Sequence, residues 1–121
     1  MMHRGSCLCG AVTFAIRSEP KAVTHCYCTM CQKQHGAAFA TYASVPRADL
    51  SYLSGLEVLC AYNSSGGVLR KFCAVCGSNV EWSGSEAFPD WVSVAVALLD
   101  TPFEPARVKQ IHLDSRAGWH P

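Results

Sequence analysis

A chain of 121 residues has room for one domain, 1–121, and excludes a second independent core. Half of its residues are apolar and 16% are charged, the make-up of a folded protein rather than a disordered one. The formal net charge of +1 lacks the basic excess of a polybasic nucleic-acid or membrane-surface protein, so neither partner is expected.

The opening residues Met1 to Cys7 contain no apolar run before a small-residue cleavage site. The longest apolar stretch, Trp91 to Leu99, is about half the roughly 20 residues a membrane span requires. A cytoplasmic, reducing setting follows as the expectation, one in which clustered cysteines bind metal or do redox chemistry rather than form disulfides.

Strand signals dominate. Val12, Phe14 and Ile16 alternate through Ala11 to Arg17 and predict a strand that ends at Ser18-Glu19-Pro20. Ala22 to His25 reads as a short strand, Thr29 to His35 as a short helical turn stopped by Gly36, and Ala37 to Val45 as a strand ended by Pro46. Pro46 to Leu50 can open a helical turn, with Gly55 as its stop. Glu57 to Tyr62 and Val68 to Phe72 flank the polar, glycine-bearing stretch Asn63 to Gly67, as the arms of a hairpin do. Asn79 to Ser83, Trp91 to Leu99 and Val108 to Leu113 complete a mainly β domain with little helix. Phe39, Trp82, Trp91 and Trp119 are expected in the core or on a pocket wall.

Eight cysteines are the one extreme count in the composition. They fall as Cys7-x-Cys9, Cys26-x-Cys28-x-x-Cys31, a lone Cys60, and Cys73-x-x-Cys76-Gly77. Thiolates two or three residues apart converge readily on one ion, whereas a disulfide between them would close a small, strained ring. Soft thiolates suit zinc. Cys7, Cys9, Cys73 and Cys76 would complete one closed tetrahedral site, with Cys73-x-x-Cys76-Gly77 as a zinc knuckle. Cys26, Cys28 and Cys31 are left with three ligands, and three protein ligands with an open position is the pattern of catalytic zinc. Spacing leaves other pairings open, with Cys60 or His25 as a fourth ligand to the triplet, although Cys60 in a strand-like stretch reads as a small buried residue. Lys33, Arg70 and Lys71 stand next to ligands in sequence and are placed to offset their negative charge.

Gly5-Ser6-Cys7-Leu8-Cys9-Gly10, His25-Cys26-Tyr27-Cys28-Thr29-Met30-Cys31, Arg70-Lys71-Phe72-Cys73-Ala74-Val75-Cys76-Gly77 and Ser115-Arg116-Ala117-Gly118-Trp119 resemble the glutathione-dependent formaldehyde-activating (GFA) family, or CENP-V/GFA domain, over residues 5–119. The resemblance implies a β-tent zinc fold of several small twisted antiparallel sheets. It implies a structural zinc on Cys7, Cys9, Cys73 and Cys76 and a second, more labile zinc on Cys26, Cys28 and Cys31. The implied activity is that of a carbon–sulfur lyase resembling S-(hydroxymethyl)glutathione synthase, with glutathione or another small thiol or thiol adduct as the partner.

Around the triplet, His25, Tyr27 and His35 are candidates for proton transfer, and Lys33 and Trp119 for a ligand pocket. The chain departs from the family pattern at Tyr27 (often His), Gln32 (often basic), His35 (often Ser) and Gln110 (often His), which preserves the metal ligands and loosens the inference to glutathione and formaldehyde. Two other readings stand beside the enzyme: a non-catalytic zinc-binding β-tent module that binds proteins, and a redox protein, for which Cys60 alone would have to serve as the catalytic thiol.

Overall fold

The computed structural model describes residues 2–121. In chain order its strands are β1 (His3–Ser6), β2 (Thr13–Ile16), β3 (Ala22–Cys26), β4 (Ala40–Pro46), β5 (Leu50–Ser54), β6 (Leu59–Ser65), β7 (Val68–Cys73), β8 (Asn79–Ser83), β9 (Trp91–Ala95) and β10 (Arg107–Ile111), with the helix α1 (Thr29–His35) between β3 and β4. Strands β1, β2 and β5 make a small antiparallel sheet. The other seven form a large sheet in the order β10-β3-β4-β9-β8-β7-β6, antiparallel throughout except that β10 runs parallel to β3. The expected mainly β architecture with little helix is what the chain adopts.

The two sheets close over one core. Phe14 and Ile16 from the small sheet, with Val12 just before β2, meet Val45, Val80, Val92 and Val94 from the large one, all essentially inaccessible to water. Each such side chain contributes about 1.5–3 kcal/mol of burial. A polar pin crosses the same interface: the Tyr52 hydroxyl on β5 donates to Glu81 Oε1 on β8 at 2.7 Å, and Lys71 Nζ on β7 lies 3.4 Å from Glu81 Oε2. The opposite face of the large sheet carries α1 and a second packed cluster of Cys26, Cys31, Ala40 and Tyr42, flanked by Cys28 and Trp82. The sheet thus separates a hydrophobic core from a sulfur-rich face.

Several elements differ from the sequence reading, each for a local reason. The helical turn after Pro46 ends at Leu50 rather than running to Gly55, because Leu50–Ser54 pairs with β2 and packs Leu50 and Tyr52 on the core. β4 starts at Ala40, and it includes Pro46 where the expectation stopped at Val45. The β6–β7 hairpin turns on Gly66 and Gly67 alone, since pairing persists to Ser65 across an irregularity at Asn63. The stretch from Trp91 stops being a strand at Ala95 and tightens into a 3-10 turn, Val96–Leu98. Strand β1 was not foreseen. Cys60 is exposed rather than buried, because β6 is the outer strand of the large sheet. Trp91 and Trp119 are also largely exposed, at 47% and 70%, and of the core and pocket-wall alternatives Trp91 takes the second, lining a surface groove with Ser44 and Pro46.

Gly5 explains how β1 fits. It pairs with Phe14 across the small sheet, and a Cβ built on it would lie 2.2 Å from the Phe14 ring, which takes up the space a side chain would need. Gly5→Ala is therefore expected to cost about 1–3 kcal/mol by overpacking. Thermal or urea unfolding checks this: a clear drop in the midpoint is expected, and an unchanged midpoint would contradict the packing described.

Candidate functional site

The first cysteine cluster lies where the two sheets meet. Cys7 and Cys9 sit on the turn leaving β1, and Cys73 and Cys76 on the turn from β7 to β8. Cys7 Sγ is 3.7 Å from Cys9 Sγ, and Cys9 Sγ is 3.8 Å from Cys73 Sγ. All four sulfurs lie within 4.8 Å of one another. A tetrahedron with zinc–sulfur bonds of about 2.3 Å has edges of about 3.8 Å, so the donor set and its spacing fit zinc. The surroundings favour ionised sulfur at Cys7 and Cys76, whereas burial and the neighbouring thiols push Cys9 up to about 11. The Val12 N–H donates to Cys7 Sγ at 3.3 Å, and the Ser78 hydroxyl beside Cys76 holds that thiol well down, to about 5. Ser78 Oγ also accepts the Leu8 N–H at 2.9 Å, tying one ligand turn to the other, while Gly77 supplies the φ of 82° on which the second turn folds back.

The second cluster is Cys26, Cys28 and Cys31, whose sulfurs are again within 4.8 Å of one another. Cys26 ends β3, Cys28 caps α1, and Cys31 is the one residue that the helix buries. The cap is a sulfur cap: Cys28 Sγ accepts the Cys31 N–H at 3.3 Å. Gly36, at φ 58°, closes the helix by donating its N–H to Gln32 O. Three residues of two short elements are thereby held to one point. Neither Cys60 nor His25 joins them: Cys60 stands on the outer strand, and His25 stacks on Phe39 with ring centroids 4.3 Å apart. Hydrogen bonding to Cys31 lowers the Cys26 thiol, and the same contact together with burial raises Cys31. Crowded thiols of this kind do not all ionise without a cation among them.

Of the three basic residues near the ligands, Arg70 makes the direct contact. It is 4% exposed, and it donates from Nη1 to Cys31 Sγ at 3.5 Å and to Gln34 Oε1 at 2.8 Å, and from Nε to Ser64 Oγ at 2.9 Å. Burial works against its charge, but the sulfur cluster more than restores it. Lys71 turns to the core face and pairs with Glu81. Lys33 is exposed and lines a shallow groove of about 340 Å³ with Met30, Gln34, Tyr62, Ser64 and Arg70.

The remaining candidates divide by face. His35 Nε2 and the Tyr42 hydroxyl are 2.9 Å apart, with Tyr42 packed on Cys26 and Cys31; burial, and then the Arg70 cation, lower the basicity of His35. His25 follows the alternation of β3 away from Cys26. Tyr27 is buried and donates its hydroxyl to Gln110 Oε1 at 3.0 Å, in an aromatic group with Phe39 and His120. Trp119 stands exposed beside His120 and does not line the Lys33 groove. Gln34, which accepts from Arg70, and Tyr42, packed on Cys26 and Cys31, join the surroundings of the triplet without having been singled out in the sequence, while Trp82, expected in the core or on a pocket wall, packs against the same cluster; the helical spacing that sets Gln34 three residues from Cys31 was the available signal for the first.

The family model described as glutathione-dependent formaldehyde-activating enzyme matches residues 2–115. A Halomonas elongata protein named "Putative glutathione-dependent formaldehyde-activating enzyme" is 30% identical over 127 aligned positions, covering 98% of this chain and 80% of that protein. A crystal structure of a Rhodobacter sphaeroides protein shares the fold with a TM-score of 0.70 at 24% identity, covering 88% of this chain and 99% of that one. With nearly the whole chain matched and both cysteine groups assembled, the chain belongs to the glutathione-dependent formaldehyde-activating family.

Proposed function

We propose that the protein is a zinc-dependent enzyme of carbon–sulfur bond chemistry, joining a small thiol to an aldehyde, or releasing it from the adduct, at the Cys26–Cys28–Cys31 triplet. Glutathione and formaldehyde are the first pair to test, because the family and the Halomonas elongata relative carry those names. The observation that carries the reading is the inequality of the two cysteine groups. One offers four sulfurs and is complete; the other offers three, with a guanidinium on one of them.

A zinc ion on the triplet would supply an open position at which a thiol loses its proton near neutral pH. The bond formed is between that sulfur and the aldehyde carbon, while the carbonyl oxygen takes up a proton and becomes the hydroxyl of the adduct. The chain's own groups serve the step in distinct ways. Arg70 holds Cys31 in place and offsets the excess negative charge of three thiolates. His35, kept neutral by burial and joined to the Tyr42 hydroxyl, is the titratable pair suited to moving the proton between thiol and adduct oxygen. His25 and Tyr27, stacked or bonded away from Cys26, orient β3 and β10 instead. The four-sulfur group holds the sheets together.

The proposal is tested by metal content and turnover together. Wild type is expected to hold about two zinc ions per chain, and Cys28→Ser about one, with unfolding little changed and thiol–aldehyde turnover lost. A Cys28→Ser protein that keeps turnover would contradict the assignment. Arg70→Met is expected to weaken zinc at the triplet by about 10- to 100-fold in chelator competition while leaving the four-sulfur group loaded. Equal retention of both ions in that variant would remove Arg70 from the account.

A further inference from the structure

Cys26 ends β3, whereas the start of that strand, at Ala22 and Thr24, borders a groove of about 400 Å³, within the roughly 300–1,000 Å³ of small-molecule sites. None of the triplet cysteines lines it, so it is a separate site. The groove crosses four neighbouring strands, β10, β3, β4 and β9. On one rim stand Arg107 and Lys109 of β10, with Lys21 leading into β3; on the other stands Trp91, which opens β9. Between them lie the small side chains of Ala22, Ser44 and Pro46, which leave the middle open. Among the described residues the ion pairs are His3–Glu19, Arg17–Asp49 and Lys71–Glu81, so the three cations of the groove have no carboxylate partner. Glu19 also borders the groove, and the buried His3 engages it. Three cations without a counter-charge attract a multiply charged anion, and the half-exposed indole opposite offers a flat face to a ring.

We propose that this groove is a mononucleotide-binding site, taking the phosphate at Lys21, Arg107 and Lys109 and the planar base on the Trp91 indole. The spacing selects a ligand that has both parts. Neighbouring strands lie about 4.8 Å apart, so β10 and β9 stand three spacings, roughly 14 Å, from each other at the backbone. Long side chains on both rims narrow that interval. A sugar between base and phosphate spans what is left, whereas free phosphate or a bare ring reaches one rim alone. The occupant is a single nucleotide rather than a strand of nucleic acid, because the cations are confined to one rim of a short groove in a chain of net charge +1, and a strand would need a basic track. Stacking on an indole is tolerant of the base, so the site recognises the pairing of ring and phosphate.

The test is titration calorimetry on the metal-loaded protein with adenosine monophosphate, adenosine and ribose 5-phosphate, each at low and high salt. The variants are the double substitution Arg107→Ala/Lys109→Ala, on a strand exposed at every residue, and Trp91→Leu, which keeps an apolar side chain without the ring; zinc content and unfolding midpoint are measured on both. Wild type is expected to bind adenosine monophosphate about tenfold more tightly than either fragment. The double variant is expected to lose about tenfold in affinity for the two phosphates, together with most of their salt dependence, while adenosine binds as in wild type. Trp91→Leu is expected to lose about tenfold for the two ligands that carry a base, with ribose 5-phosphate unchanged. Adenosine monophosphate left unbound by wild type, bound equally by all three proteins, or matched in affinity by ribose 5-phosphate would overturn the proposal. The triplet reading stands or falls separately, because neither variant alters a cysteine.

Discussion

Four sulfurs less than 4.8 Å apart repel one another once ionised, so the meeting of Cys7, Cys9, Cys73 and Cys76 is stable in that form only around a cation. The chain spends its two most widely separated cysteine pairs on this contact. One pair leaves the small sheet and the other joins two strands of the large sheet, so an ion here fixes the relative position of the sheets. Cys7 and Cys73 are themselves members of the hydrophobic core, with exposures of 4% and 0%. An ion bound here would therefore couple to core packing, and the Tyr52–Glu81–Lys71 pin extends the same junction in polar form.

The large sheet then acts as a partition. One face is committed to the core and cannot host a ligand without loss of stability. The other face is free for chemistry: Cys26 on β3, Tyr42 on β4 and Arg70 on β7 reach it by alternation, and Trp82 on β8 reaches it because the pairing with β7 skips Val80, which stays in the core. The short helix α1 brings Cys31 down onto that face and Cys28 to its own first turn. Because the helix is capped by a sulfur, removing or binding an ion at the triplet acts directly on the residue that starts the helix. A stable scaffold and the three-sulfur group can therefore coexist in a small domain, since they lie on separate faces of the sheet.

Much of this was legible in the sequence, and for local reasons. Ligand spacing within Cys-x-Cys and Cys-x-x-Cys is a short-range property, and the helix Thr29–His35 ends at the glycine whose left-handed conformation closes it. β8 coincides with its expectation, Asn79 to Ser83. What failed was information that lies in partners rather than in neighbours. β1 holds a glycine that reads as a breaker until Phe14 fills its place. β5 is exposed at three of its five residues, leaving too little pattern to see. Cys60 looked buried because nothing in its neighbourhood says that β6 is an outer strand. The division of His25 from Cys26 was available from strand alternation, whereas the Arg70–Cys31 contact joins residues 39 apart and appears only in three dimensions.

The most direct test of two unequal sulfur centres is X-ray absorption at the zinc edge of the fully loaded protein. A four-sulfur centre and a three-sulfur centre with one lighter ligand average to about 3.5 sulfurs and about half an oxygen or nitrogen per zinc, with sulfur at about 2.3 Å. A shell of four sulfurs with no lighter scatterer would mean that both centres are closed, and would contradict the account.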